Sequence, residues 1–278
     1  VEYVTDDHVK RAMKEKIERR SLLKDKVHEY IDRGKIFIDT KGREVGQITG
    51  LSVLNTGDFT FGKPSRITAN VYAGKEGVVN IDREADLSGS THTKGVMILK
   101  GYLGQKFAYD KPLSLTANIA FEQSYSMVAG DSASSTELYA ILSSLADVEI
   151  DQGIAVTGTI NQKGEIQPIG GAKEKIEGFF EVCKAQGLTG DQGVIIPKDN
   201  EDNLMLNDEV IDAVEAGDFH IYPVKSVSEG LEILTDVEPG ESFKDGGYEE
   251  GTIFARADEK IREIHDALKE SNKEDEED

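Results

Sequence analysis

The sequence predicts a domain of the α+β class. Three observations support this prediction: β-rich, alternating segments between residues 35 and 84, several segments with apolar residues at helical spacing, and two short apolar strands near the carboxyl end. Strands and helices alternate without a regular βαβ rhythm, which favours α+β over α/β. The 278 residues suffice for a sizeable core and for one or two domains.

The elements can be justified in chain order. Residues 6–34 have the charged, periodic pattern of a helix that begins at an Asp6-Asp7 cap and ends at Gly34. Alternation, periodicity and turn residues predict the rest: strands in 35–40, 47–54, 66–73 and 78–84, a helix at 91–104, a strand at 114–125, a helix at 132–147, a strand–turn–strand at 154–170, a helix at 171–187, a strand at 193–197, a helix at 200–216 and a strand at 219–224.

Composition divides the chain into three segments. Residues 1–34 form a helical segment, residues 35–237 form the main domain, and residues 238–278 form a linker, a charged helix and an acidic tail. The linker is predicted from the stretch PGESFKDGGYEEG, and the terminal KEDEED has the composition of a solvated, disordered tail.

Charge and cysteine content argue against several function classes. The 32 basic and 53 acidic residues leave a net charge of −21, so binding to nucleic acid or to an anionic membrane surface is not expected. No apolar run approaches the length of a membrane span. The single cysteine, Cys183, favours a reducing, cytoplasmic location and is expected to pack inertly in the core. The five histidines are scattered, so a metal site is not expected.

A serine at the start of a predicted helix is the first candidate catalytic residue. In residues 127–146, apolar side chains recur at helical spacing, and Gly130, Asp131 and Ser132 precede them at a strand-to-helix turn. Backbone amides around Asp131 and Ser132 would favour a developing oxyanion. Taken alone, however, Gly-Asp-Ser at a helix start is more typical of a cap than of catalysis.

A lysine on the buried side of the helix at 171–187 is the second candidate. Lys175 shares a face with the apolar stripe of this helix, whereas Lys173 belongs to the charged face. Burial lowers a lysine pKa from about 10.4 by roughly 3–5 units. A neutral amine near Ser132 could take its proton as a general base, in the serine–lysine variant of nucleophilic catalysis. Snorkelling or a structural ion pair would also explain the position.

At these two segments the chain closely resembles the Lon proteases. In that family the catalytic serine stands in a Gly-Asp-Ser-Ala-Ser context, as it does in residues 130–134. The catalytic lysine follows 43 residues later, behind a Pro-hydrophobic-Gly-Gly stretch, as Lys175 follows residues 168–171. The resemblance therefore implies a catalytic dyad of Ser132 and Lys175 in a serine endopeptidase.

Further motifs extend the resemblance over residues 35–237. Thr157-Gly158 matches a Thr-Gly pair whose threonine supports the lysine, and residues 121–125 resemble the strand before the serine in the B-type branch of the family. Gly130 is a further supporting residue. One position departs from the pattern, because B-type relatives carry an acidic residue where this chain has Ala129. The contribution of that carboxylate, such as orienting the active-site loop, is missing here.

The resemblance also implies parts that this chain lacks. Full-length Lon proteins carry an ATPase module, and residues 1–34 resemble its helical end. The chain has no G-x-x-x-x-G-K-[ST] loop, so no cofactor is expected here. For the full-length protein, the resemblance implies ATP and Mg2+. A homo-hexameric ring and unfolded or regulatory proteins as substrates are implied as well.

Three questions stay open at this point. The Asp131 carboxylate either orients the dyad or pairs with the lysine ammonium and keeps the site idle. A catalytically impaired scaffold that forms a ring and docks unfolded chains is an alternative function, which Ala129 favours. A serine–lysine hydrolase of small amides is another, although the Ser-x-x-Lys motif of penicillin-binding enzymes is missing around Ser132.

Overall fold

The computed structural model describes residues 3–57, 59–243 and 246–277, with side chains described as far as residue 270. Its α-helices are α1 Asp6–Glu18, α2 Leu22–Asp32, α3 Ile81–Glu84, α4 Ser90–Phe107, α5 Ser134–Ala146, α6 Ala172–Gln186, α7 Asp208–Ala216, α8 Val227–Thr235 and α9 Ile253–Glu277. The strands are β1 Arg43–Glu44, β2 Gln47–Asn55, β3 Thr60–Ala73, β4 Gly77–Asn80, β5 Leu115–Phe121, β6 Ile150–Asp151, β7 Ile154–Val156, β8 Thr159–Ile160, β9 Ile166–Gln167, β10 Gly193–Pro197 and β11 His220–Val224.

A mixed seven-stranded sheet forms the centre of the fold, in the order β11-β10-β7-β2-β3-β5-β4. Strand β3 is antiparallel to both of its neighbours, β2 and β5. Strands β7, β10 and β11 add in parallel on one side, and β4 adds in parallel to β5 on the other. Mixed strand directions with helices packed on the sheet confirm the predicted α+β class.

The two faces of the sheet form two hydrophobic cores. Along β10, Ile195 belongs to the core that includes α4, α5, α8 and α9, whereas Val194 and Ile196 belong to the core that includes α6 and α7. This division follows from the two-residue period of a strand. A glycine allows α6 to lie very close to β3, because a Cβ at Gly62 would be 2.0 Å from the Glu174 carbonyl oxygen. The start of α6 is thereby fixed on the sheet.

Several predicted bounds were wrong for identifiable reasons. The helix expected over 6–34 is two helices, because the Ser21 hydroxyl bonds to the Glu18 carbonyl and the Asp25 carboxylate and so competes with the helical backbone. The helix expected at 200–216 is a 3-10 helix, Lys198–Asn203, followed by α7. Asn207 caps α7 by accepting a hydrogen bond from the amide of Val210.

Three predicted strands also differ. The strand expected at 78–84 ends at Asn80, because the Asn80 side chain accepts a hydrogen bond from the Arg83 amide and caps α3. Residues 35–40 form no strand, and the Phe37 amide donates to the Gln123 side chain instead of to a neighbouring strand. The strand expected to reach residue 125 ends at Phe121, so a loop over 122–133 leads to α5 in place of a tight strand-to-helix turn. This loop carries Ser132.

The segment after residue 237 contributes to the core that also includes α4, α5 and α8. The charged helix predicted there is α9, and it buries Ile253, Phe254, Ala257, Ile261 and Ile264. The prediction of a disordered tail at 273–278 falls outside the described side chains. Among the helices that the structure describes, none has both the length and the apolar character that a bilayer crossing requires.

Candidate active site

Ser132, Lys175 and Thr157 meet in one hydrogen-bonded cluster. The Nζ atom of Lys175 donates to Ser132 Oγ at 2.8 Å and to Thr157 Oγ1 at 2.9 Å. Thr157 Oγ1 donates in turn to the Ser132 carbonyl oxygen at 3.3 Å. Side chains from three separate segments of the sequence are therefore brought together as the sequence analysis expected.

The backbone around Ser132 is held by one glycine and shaped by another. The Gly158 amide donates to the Ser132 carbonyl at 2.8 Å, and the Gly158 carbonyl accepts from the amide and the hydroxyl of Ser135 at 3.2 and 2.8 Å. Gly130 has a φ of +84°, which lies in the region that favours glycine. A Cβ at Gly130 would meet nothing within 4 Å, so conformation and not space selects glycine there.

Burial changes the chemistry of Lys175. The prediction that it lies on the buried face of α6 is confirmed, because Lys175 is 3% exposed whereas Lys173 is exposed. Burial lowers the pKa of Lys175 to about 8, and the negative charge of Asp131 opposes the shift. A useful fraction of the amine is therefore neutral near neutral pH, as a general base requires.

Asp131 lies near the cluster without joining it. Its Oδ1 atom accepts a hydrogen bond from Thr159 Oγ1 at 3.1 Å. Among the described residues, the hydrogen-bond partners of Lys175 Nζ are Ser132 and Thr157. The direct Asp131–Lys175 pair that would idle the site is thus not the arrangement in this structure.

An open cleft of about 270 Å³ borders the cluster. Its wall is built from β2, β3, the loop 122–133 and the start of α6, and the residues that line it are Ser52, Val53, Leu54, Lys63, Ser65, Phe121, Ser124, Ser126, Met127, Val128, Ala129, Ser132, Gly170 and Lys175. Beside the cleft, Tyr125 is 87% exposed and Met127 is 65% exposed. An extended peptide with apolar side chains would find contacts there.

Sequence reasoning missed the walls of this cleft and a buried pair behind it. The contributions of Ser52 and Lys63 depend on the register of β2 and β3, for which the sequence carries no signal. His92 and Glu137 are both fully buried, and His92 Nε2 lies 2.9 Å from Glu137 Oε1. Their positions were a possible signal in the sequence, because each of these ionisable residues falls on the apolar side of its helix.

The other titratable groups considered from the sequence lie elsewhere. Cys183 is fully buried in the core that includes α6 and α7, as predicted, and burial raises the pKa of its thiol. In the described part of the chain, no three His, Cys, Asp or Glu side chains are grouped in a way that would hold a metal ion.

A serine hydroxyl within hydrogen-bond reach of a buried amine, on the wall of an open cleft, is the arrangement of serine–lysine hydrolases. Comparisons with known proteins agree. The family model described as Lon protease (S16) C-terminal proteolytic domain matches residues 21–236. The chain therefore belongs to the Lon protease family and carries its proteolytic domain, a Lon-type serine peptidase.

Individual relatives give the extent of the likeness. A putative Lon protease homolog of Escherichia coli (strain K12) is 43% identical over 221 residues, covering 79% of this chain and 38% of the relative. Its counterpart in Haemophilus influenzae is 40% identical, covering 79% and 37%. The archaeal Lon protease of Archaeoglobus fulgidus is 31% identical over 232 residues, covering 83% and 34%. The chain thus spans well under half the length of these relatives.

Proposed function

We propose that this chain is the proteolytic part of an endopeptidase in which Ser132 is the nucleophile and Lys175 is the general base. The observation that carries the proposal is the 2.8 Å contact between the Ser132 hydroxyl and an amine whose pKa is lowered to about 8. Both groups border an open cleft of about 270 Å³.

The reaction begins when neutral Lys175 removes the Ser132 proton and Oγ attacks the scissile carbonyl carbon. The backbone amides of Asp131 and Ser132 stabilise the resulting oxyanion, since neither amide donates a hydrogen bond within the described residues. Loss of one such donor typically costs about 10²–10³ in rate. The Lys175 ammonium then protonates the leaving amine, and water hydrolyses the acyl-enzyme.

Three neighbours support the dyad in this proposal. Thr157 holds the lysine rotamer, because its hydroxyl accepts from Nζ and donates to the Ser132 carbonyl. Asp131, held by Thr159, supplies a negative charge that stabilises the ammonium formed in the first step. Gly130 allows the backbone turn that presents Ser132 to the cleft.

The remaining proposals concern the whole protein. We infer a full-length, B-type Lon protease in which an ATPase module upstream of residues 35–237 binds ATP and Mg2+ and delivers unfolded or regulatory proteins to a homo-hexameric ring in the cytoplasm. The greater length of the relatives and the archaeal Lon proteases among them support this proposal. Residues 1–34 would then form the end of the ATPase module, and residues 238–278 would follow the proteolytic domain.

An acylating probe directed at serine tests the proposed chemistry. The wild-type chain should be labelled, and labelling should disappear in Ser132→Ala and in Lys175→Met, because the first lacks the nucleophile and the second lacks the base. Ser126→Ala removes another hydroxyl from the same cleft and should keep the label. Labelling that survives in Ser132→Ala would refute the assignment.

A second measurement separates the proposed endopeptidase from its alternatives. Cleavage of an unfolded protein such as casein is expected, together with slow or absent cleavage of small amides. Binding of casein without cleavage or labelling would instead support the non-catalytic scaffold.

A further inference from the structure

The cleft beside Ser132 contains an ammonium that the proposed mechanism does not use. Lys63 lies in β3 opposite Ser52 of β2, and it lines the same cleft as Ser132 and Lys175. It is half-buried. Although the chain has a net charge of −21, no acidic side chain of the described residues lines this cleft. Among the described residues, the charged side chains that line the cleft are therefore lysines, in an otherwise acidic molecule.

Two other half-buried or buried lysines of this chain have carboxylate partners, whereas Lys63 forms no ion pair among the described residues. Lys24 pairs with Glu181 at 2.9 Å, and Lys111 pairs with Asp258 at 2.6 Å. Burial lowers the pKa of Lys63, and no described charge opposes this shift. A partly desolvated ammonium without a partner is costly, and an incoming carboxylate would remove that cost.

Tuning of the dyad does not explain Lys63. The pKa of Lys175 is shifted by burial and by Asp131, and Lys63 is not among the groups that act on it. The contact with Ser52 does not involve the amine, since Ser52 Oγ donates to the Lys63 backbone carbonyl at 3.2 Å, and Lys63 Nζ donates to no group among the described residues. The amine is left for a molecule that enters the cleft.

We propose that Lys63 forms a subsite that binds a carboxylate of the substrate chain, next to the apolar positions of the cleft. This inference rests on the proposed function only in so far as Ser132 marks the cleft as the place where substrate lies. Val53, Leu54 and Met127 line the cleft with Lys63, so the subsite selects an acidic residue within an apolar stretch.

Binding of matched peptides to the Ser132→Ala chain tests the subsite without turnover. The peptides are fluorescent decamers with blocked ends, identical except for Glu or Gln at one scanned position, and Kd is measured by anisotropy. At one or two adjacent positions the Glu peptide should bind about fivefold more tightly, the range of a partly exposed ion pair. The preference should weaken with added salt, because exposed charges are screened.

Variants at Lys63 decide the result. Added to Ser132→Ala, Lys63→Met should remove the preference, Lys63→Arg should keep it and Lys63→Glu should reverse it. Lys41→Met removes an exposed lysine outside the cleft and should leave the preference unchanged. Equal affinities at every position, a preference that survives Lys63→Met, or no peptide binding would each overturn the proposal.

Two further arms identify the carboxylate and separate the two proposals. Peptides with a free or an amidated carboxyl end show whether a chain terminus occupies the subsite in place of a side chain. Probe labelling of the active chain with no Glu preference would refute the subsite and leave the proposed chemistry standing. A Glu preference in a chain that the probe never labels would support the subsite and refute the proposed chemistry.

Discussion

Replacing Lys175 by methionine is expected to stabilise the domain while it abolishes catalysis. Lys175 is 3% exposed, and burial lowers the pKa of its amine from 10.5 to about 8. Below about pH 8 the folded chain must therefore keep an ammonium out of water that the unfolded chain leaves solvated. Each pKa unit corresponds to about 1.4 kcal/mol, so the buried charge costs about 3 kcal/mol of folding free energy at pH 7.

Part of this gain is offset by lost hydrogen bonds. Lys175 donates to Ser132 and Thr157, and their loss costs about 1 kcal/mol, since water in the cleft can replace the amine at Ser132. The expected net stabilisation at pH 7 is about 2 kcal/mol. Because the folded pKa is the lower one, the unfolded chain binds more protons between about pH 8 and 10.5, and wild-type stability rises through that window.

Urea unfolding from pH 7 to pH 10.5 measures this difference. Lys175→Met should be more stable than wild type at pH 7, and the advantage should shrink as the pH rises. Lys173→Met changes the same charge on the exposed face of the same helix and should stay within about 0.5 kcal/mol of wild type. A Lys175→Met chain no more stable than wild type at pH 7, or a pH-independent difference, would refute the argument for a desolvated amine.

Three other outcomes are expected. The rate of probe labelling should rise with pH, with a midpoint at about pH 8. Asp131→Asn should move this midpoint to lower pH, because the Asp131 carboxylate raises the Lys175 pKa. A midpoint that stays in place would contradict this role of Asp131. Glu137→Gln should cost about 1–3 kcal/mol in urea unfolding, because the buried His92 and Asn80 side chains both hydrogen-bond the Glu137 carboxyl, and an unchanged stability would be inconsistent. Gly230→Ala places a Cβ 2.1 Å from Tyr139 Oη and should cost about 1–3 kcal/mol, part of which Tyr139→Phe restores in the double variant.

The parts of the site that the sequence predicted are those fixed by local periodicity. The 3.6-residue period of a helix is enough to place Lys175 on the buried face of α6 and Lys173 on the exposed face. The Gly130-Asp131-Ser132 sequence likewise indicates that a helix begins close by, and α5 begins two residues after Ser132, at Ser134. Such inferences need no information about which distant segments pack together.

The parts that the sequence did not predict depend on distant pairing. Lys63 lines the cleft because β3 pairs with β2 in a particular register, and a shift by one residue would turn its side chain to the other face. The core contacts of α9 depend on which helices cover the sheet, although the apolar spacing from Ile253 to Ile264 was visible in the sequence. The composition of residues 238–278 suggested a linker more strongly than a core helix.

Ala129 does not by itself favour the scaffold alternative, because the structure orients the active-site loop without a carboxylate there. The backbone on both sides of Ser88 pairs with Val128, one residue before Ala129. The Ser88 hydroxyl lies 2.9 Å from His92 Nδ1, and the other ring nitrogen of His92 contacts Glu137 in α5, the helix that follows Ser132. The loop before the serine and the helix after it are thus anchored to the same buried pair, and backbone pairing makes no demand on the side chain at position 129.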